Sequence, residues 1–564
     1  LKQIEINSSS SSINSIFPNV FGSVIPSSVK NLGNFNFNGE ISFNKSEIKS
    51  DFILGVDKGI IKSSLNVLDF SNIDNSSYSG FVQGFNVDIS RFLNFKSIRN
   101  TNFDFDINGK GFTTEYLNSV IKGSITDLML NETKLSNIEI FGQVKDQVFD
   151  GNLIVDDKNL NLEFNGLVDF TGDLIDFDFN SKIKNAFLKD LGFEDNGIIQ
   201  GNFDVKLRGN NTDNLIGDLK LQNIIYTQAD RSVTFDQLDA QLRNNDGDRI
   251  INISSSDMIS GILIGEYDVF NLKDDILNSI GSHYSNFKGK SNYQNISFSL
   301  NFKPKLMKLI NNNLSIDENT FFRGKFNEDG KYEIQLESSF LKFKDILISD
   351  IDLDLNNEEG FIQIKDIKSP IVNGTNFNIK TNFFDDNLFV ESSYMAKKKI
   401  NRINFNHTID SSNKSLITFE NMELTINDQK WEIDKKNPTN KLPQLVFSWD
   451  KRDYSFLDAN FKSYDQFLAV NFLENENSSE YSINFVNLSL KNITNSKNKI
   501  FFEGLVNGKI ELIKKGDLYE GKSNLTLKDL SANSNNLGDA TLKIDASKDL
   551  KSFVMDFGIE KNKN

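Results

Sequence analysis

The stretch Leu160-Asn161-Leu162-Glu163-Phe164-Asn165-Gly166-Leu167-Val168-Asp169-Phe170 decides the fold. Leu160, Leu162, Phe164, Val168 and Phe170 share one parity, while Asn161, Glu163, Asn165 and Asp169 hold the other. Successive side chains of a strand point to opposite faces, so the segment reads as a strand with one dry face and one wet face. The same period recurs in both directions along the chain. Phe35, Phe37, Ile41 and Phe43 keep it, as do Phe103 and Phe105, then Phe177 and Phe179. It returns at Ile296, Phe298, Leu300 and Phe302, at Ile351, Leu353 and Leu355, and at Phe553, Met555, Phe557 and Ile559. Asn-Gly or Asp-Gly pairs at 108–109, 165–166, 329–330 and 507–508 read as hairpin turns between such strands. With only 6 Pro in 564 residues to interrupt them, antiparallel meanders are expected.

Helix signals are short, at 113–121, 185–191, 272–280 and 305–310, and suit caps on a sheet better than a helical domain. No sequence repeat of fixed period stands out, which argues against propellers and leucine-rich solenoids. The expected fold class is therefore all-β, an elongated and curled antiparallel sheet with an apolar interior groove. A lead-in over 1–30, with a Ser-rich stretch at 8–12, would precede a sheet body over 31–400, and 401–564 would continue it.

Composition narrows the function classes. Hydrophobic residues are 38% and mean hydropathy is -0.38, with no apolar run of 18 residues, so a membrane-embedded helical bundle is excluded. The apolar content is skewed to 50 Phe against 12 Tyr and 2 Trp, a demand for side chains without a polar handle. A net charge of -16 repels phosphate backbones, so no nucleic-acid partner is expected. The run Lys397-Lys398-Lys399 reads as a solvated strand end. Cysteine is absent, which removes disulfides, thiolate metal sites and thiol nucleophiles. Only His283 and His407 are present, too few for histidine catalysis or a His-rich metal site. The chain opens on Leu1 without a leader-like region, and a fragment whose anchor lies outside it is the expectation.

Two literal motif matches need weighing. Asp104-x-Asp106-x-Asn108-Gly109 with Glu115 satisfies a calcium-loop pattern. Phe103, Phe105 and Ile107 alternate with those carboxylates, which places the acids on the wet face of a strand instead of around an ion. Gly516 to Ser523 matches a phosphate-binding loop, but Leu525 and Leu527 continue it as a strand where that loop needs a helix. The ladder Asp350, Asp352, Asp354 likewise opposes Ile351, Leu353 and Leu355 and reads as a solvent face. No catalytic constellation, cofactor site or metal site is legible.

The dry face is the remaining signal, since an apolar sheet face must be covered by something. Candidate groove-lining residues are Phe35, Phe37, Phe43, Phe103, Phe105, Leu160, Leu162, Phe164, Phe177, Phe179, Phe298, Leu300, Phe302, Leu353 and Leu355. For any one of them, core packing is the simpler reading. The segments 84–95, 103–113, 160–170, 201–210, 230–242 and 260–269 occur in an order that resembles TamB proteins of Bacteroidota-type bacteria, members of the AsmA-like group. The likeness is best over 80–370. The resemblance implies a periplasmic body between an inner-membrane anchor and a C-terminal region that meets outer-membrane assembly machinery of the barrel-insertase type. It also implies passage of phospholipid acyl chains between inner and outer membranes, or help in assembling outer-membrane proteins, with membrane contact through regions outside this segment. Two other readings remain open on the residues. One is a scaffold that offers strand edges to client strands. The other is a transmembrane β-barrel, whose interfaces would favour Tyr and Trp over Phe.

Overall fold

The computed structural model describes residues 4–9, 34–56, 59–70, 72, 74–90, 98–112, 116–193, 195–229, 231–268, 271–289, 294–370, 372–436, 441–448, 453–492, 501–516, 518–546 and 552–561. Most of the expected lead-in, 113–115 of one expected helix, and Ser10–Ser12 of the Ser-rich stretch lie outside the described residues. The chain is all-β and antiparallel, and it divides into two units. The first comprises Leu1–Gly265 and Leu300–Asn312, the second Glu266–Ser299 and Asn313–Asn564. Two α-helices are described, α1 (Leu272–Gly281) in the second unit and α2 (Pro304–Ile310) in the first.

In the first unit every strand from Ile4–Ser9 to Ile259–Glu266 pairs with the strand next to it in sequence. Register shifts at Gly84/Val87, Ile98/Thr101 and Ile183/Ala186 mark bulges, which bend a strand and raise its twist. A side-chain contact crosses several strand ends. Asn131, in the turn between Asn118–Leu130 and Thr133–Lys145, donates from Nδ2 to the Leu191 carbonyl beyond Ile175–Phe187. The turn after Phe187 thus reaches back across the ends of the intervening strands. Pro304 opens α2, where its missing N–H costs nothing, and Leu306 and Leu309 pack onto Ile224, Val233, Phe235 and Met258. Lys305 pairs with Asp257 at 2.5 Å and Arg231 donates to the Leu309 and Ile310 carbonyls, which fix the helix to the sheet.

The second unit repeats the meander from Tyr332–Phe343 to Ser415–Ile426 and from Tyr454–Ser463 to Phe553–Glu560. Between those runs the short strands Gln429–Ile433 and Gln444–Phe447 each bridge Ser415–Ile426 and Tyr454–Ser463.

Local expectations fare unevenly. Helices do form at 272–281 and 304–310. Residues 118–121 instead belong to the strand Asn118–Leu130, and 185–187 end the strand Ile175–Phe187. Both stretches are paired on two sides, and that pairing overrides a weak local helix preference. Asp329-Gly330 is a turn as expected. Gly109, Gly166 and Gly508 are not, because each lies inside a strand. The tight turns use other residues. Asp146-Gln147 (φ 49° and 65°), Asp385-Asp386 (51° and 64°), Asn427-Asp428 (48° and 67°) and Asn533-Ser534 (47° and 67°) each place two successive residues at positive φ. That is the twist-matched geometry of a two-residue hairpin. Lys397-Lys398, expected as a solvated strand end, is a fifth such turn, with φ 49° and 63°.

Candidate functional site

Residues directly opposite in an antiparallel pair share a face, so the registers show which side chains line up across each sheet. From the deciding stretch, Leu162 faces Val155 and Ile183, Phe164 faces Leu153 and Ser181, and Val168 faces Phe149 and Phe177. Toward the N-terminus the row continues through Ile138, Ile125 and Phe103. Toward the C-terminus it runs through Leu207, Val205 and Phe203 to Leu219 and Leu221, then Ala240 and Leu238. One face of the first unit is thus apolar across consecutive strands. The other face carries cross-strand ion pairs such as Lys184–Glu163 (2.8 Å) and Arg243–Asp218 (2.7 Å). Phe141 and Ile154 are exceptions, exposed on that wet face.

Gly166, Gly84 and Gly123 belong to the apolar row, and this explains why they sit inside strands. Gly166 has φ 154°, outside the reach of ordinary side chains, and a Cβ there would fall 2.5 Å from Phe179 Cβ. A Cβ on Gly84 would meet Phe103 Cε1 at 2.2 Å, and one on Gly123 would meet Phe105 Cδ1 at 2.8 Å. The Phe103 and Phe105 rings lie over the glycine backbone of the neighbouring strand instead of standing upright from the sheet. Such aromatic cover is a known remedy for glycine in a strand.

The groove-lining candidates are distributed along both units, not gathered at one point. Phe35 and Phe37 are half-buried, and Phe37 stacks on Phe52 at 5.3 Å, whereas Phe43 at the strand end is 66% exposed. Phe103 and Phe105 stack at 5.1 Å and join Leu160 and Leu162 around the buried Ile125, Leu135, Ile138 and Val155. Phe164 and Phe177 flank Phe179 at 4.9 and 6.5 Å, all three half-buried. Phe298, in the second unit, is only 4% exposed and packs on Phe322 and Phe326. Leu300 and Phe302, further along the same strand, fall in the first unit, Leu300 buried and Phe302 half-buried. Leu353 and Leu355 face Leu336 and Ile334, and both are half-buried. Asp104, Asp106, Asp350, Asp352 and Asp354 are exposed on strands, and Gly521, Lys522 and Ser523 lie within the strand Leu518–Ala532. Among the described residues no group of three or more acidic or histidine side chains could hold a metal.

The second unit adds two features that the sequence pattern left unnoticed. The first is a ring ladder across its apolar face. Phe405, Phe419, Phe456, Phe472 and Tyr481 follow one another at 5.9, 6.0, 6.0 and 6.3 Å. Beside it opens a cavity of about 590 Å³, within the usual size range of ligand pockets. Its walls are Met422, Leu424, Trp431, Phe461, Leu468 and Phe485 with Ile426, Val470, Ile483 and Leu488, every one apolar. The alternation of Met422, Leu424 and Ile426 was a usable signal, but which strands border them depends on the crossed pairing of Gln429–Ile433.

The second feature follows α1. Tyr284 is buried, with its hydroxyl 2.6 Å from His407 Nδ1. His283 stacks on Phe383 at 4.2 Å and meets the Asn357 amide at 3.2 Å. Burial pushes the Tyr284 hydroxyl well up, and Tyr332 up to about 12, so both stay protonated. Burial also pushes both histidines below the ordinary value, favouring their neutral forms.

No family model, curated protein or solved structure matches this chain.

Proposed function

We propose that the apolar faces of this protein hold the acyl chains of phospholipids and serve as a periplasmic segment of a bridge between inner and outer membranes. The observation that carries the reading is the cavity of the second unit, about 590 Å³ and lined by ten predominantly apolar side chains. Such a wall offers little to a sugar, nucleotide or peptide, most of whose polar groups would be left unpaired at a cost. A hydrocarbon chain loses nothing there. Burying a methylene is worth about 0.8 kcal/mol, so a sixteen-carbon chain gains about 12 kcal/mol on leaving water. The half-burial of Phe164, Phe177 and Phe179 and the low-lying rings over glycine support the same reading in the first unit. So does the resemblance of the strand motifs to TamB proteins, with its implied outer-membrane assembly partner.

Trp431 in the cavity wall supplies the test. In a Trp449→Phe background it is the single remaining Trp, since the chain has 2. Phospholipids brominated on the acyl chain should quench its emission, and mass spectrometry of the purified protein should find retained phospholipid. Absence of both would overturn the reading.

A second reading draws on the strand Phe553–Glu560. All eight of its residues are exposed, including Phe553, Met555, Phe557 and Ile559. Such a strand suits a scaffold that takes up a client strand by edge pairing. Binding of unfolded barrel strands by lipid-free protein, lost when this strand is deleted, would favour it.

A further inference from the structure

We propose that residues 282–288 form a lid on the apolar face of the second unit, latched by Tyr284 to His407 and released when the histidines take up protons. The inference rests on the hydrocarbon reading for its purpose but not for its mechanism.

The lid spans three successive hairpin ends on one long edge of that unit's sheet. His283 reaches Asn357, in the turn after Ile346–Asn356. Ser285 donates from its backbone N–H and its hydroxyl to Asp386, in the turn before Asn387–Ala396. Asn286 donates from Nδ2 to the Ile409 carbonyl, at the end of Lys399–Ile409. The rings point inward from there. His283 lies on Phe383 and edge-on to Tyr332, and Tyr284 lies edge-on to Phe383 and His407. His407 shares its face with Leu388 and Ile417 on the flanking strands, and with Phe405 at the head of the ring ladder. The segment therefore occupies apolar surface that is continuous with the ladder.

The chain has two histidines, and both are in this latch. In the proposed latch Tyr284 donates to Nδ1 of the His407 tautomer that carries its hydrogen on Nε2, and a proton added at Nδ1 removes the acceptor and puts a charge on an apolar face. The titratable neighbours on the packed elements do not offset it. Asp386 is engaged by Ser285, and Asp410 accepts from the Ser412 and Lys414 backbone. Lys414 pairs with Asp453 at 2.6 Å. Near His283 stand Tyr332, kept neutral by burial, and Glu358, which lies in the field of Lys331. Lys288, on the lid itself, adds only positive charge. Burial is the cause that lowers both rings. The sign follows. Neutral rings stabilise the closed lid above the ordinary histidine value of about 6.5, and that contribution is lost as pH falls below it through the depressed folded values.

Hydrogen exchange read by mass spectrometry tests the latch without any ligand. From about pH 7.5 to about pH 5.5, a range bracketing the ordinary histidine value, amides of 282–288 should lose protection about tenfold or more after correction for intrinsic rates. Amides of Phe502–Lys515 serve as the unchanged reference. In His283→Gln/His407→Gln the response should vanish, and Tyr284→Phe should raise exchange of the lid at the higher pH toward the acid level. Unchanged protection in the wild type, or an undiminished acid response in the double variant, would overturn the proposal. Should the double variant lose protection in the reference strand, Tyr284→Phe decides, and a lid unaffected by it overturns the latch. Trp431 quenching, measured at both pH values in the Trp449→Phe background, is separate. Its absence at both pH values removes the hydrocarbon role and leaves the latch standing.

Discussion

Phe298 and Phe164 occupy equivalent places in the sequence pattern but different environments in the molecule. Phe298 is 4% exposed among Phe322 and Phe326, so an Asp there would bury a carboxylate with no partner. Phe298→Asp is expected to destabilise the second unit by more than about 3 kcal/mol, seen as a lowered urea midpoint. Phe164 is half-buried, and Phe164→Asp should cost about 1–2 kcal/mol while abolishing lipid crosslinking at that position. Gly84→Ala should displace the Phe103 ring, whose Cε1 stands 2.2 Å from the new Cβ, at about 1–3 kcal/mol. A Phe103→Leu background should recover part of that loss. Alternation made the face of each of these phenylalanines legible. Burial depth was not, because it depends on which loop or helix lies over a given strand. The in-strand glycines were misread for a related reason. Their neighbours in sequence resemble a turn, while the close approach that leaves no room for a side chain comes from the adjacent strand, at Ser119 beside Gly109, Phe179 beside Gly166 and Leu525 beside Gly508.

At the level of elements, strands were legible nearly throughout, and the joints between them were not. A two-residue hairpin needs positive φ at both central positions, and Gly and Asn meet that need at least cost. Here Lys397-Lys398 meets it with two β-unbranched residues at φ 49° and 63°. The closing pairs are Ala396 opposite Lys399 and Met395 opposite Ile400, so strand pairing imposes the geometry. Replacing Lys398 by Gly should relieve the left-handed strain and stabilise the second unit by up to about 1 kcal/mol, read as a higher urea midpoint. A fall in that midpoint would mean that the added freedom of the unfolded chain outweighs the strain. Helices followed the same logic in reverse. Leu272–Gly281 and Pro304–Ile310 were readable because no strand competes for them, whereas 118–121 and 185–187 were captured by partners on both sides.

For the whole molecule, charge is the property that the sequence gives outright and the structure arranges. Sixteen acidic residues remain unmatched by bases, and the ion pairs that do form are largely solvent-exposed, such as Lys522–Glu520 and Lys365–Asp350. Exposed pairs of this kind contribute about 0–1 kcal/mol each. Raising ionic strength from about 0.01 M to 0.15 M shortens the screening length from about 30 Å to about 8 Å. It should therefore raise Tm by relieving repulsion more than it weakens pairs. A Tm that falls with salt would show that the ladders dominate. The apolar faces were legible from alternation alone, while the cavity and the histidine latch, which join residues far apart in sequence, were beyond it. Nearest-neighbour pairing carries one more consequence. Adding or removing two consecutive strands would return the backbone to the same edge, heading the same way, with every later side chain still on its proper side. Span is then an adjustable quantity, changed in steps of about 10 Å with no need to rewrite the rest of the sequence.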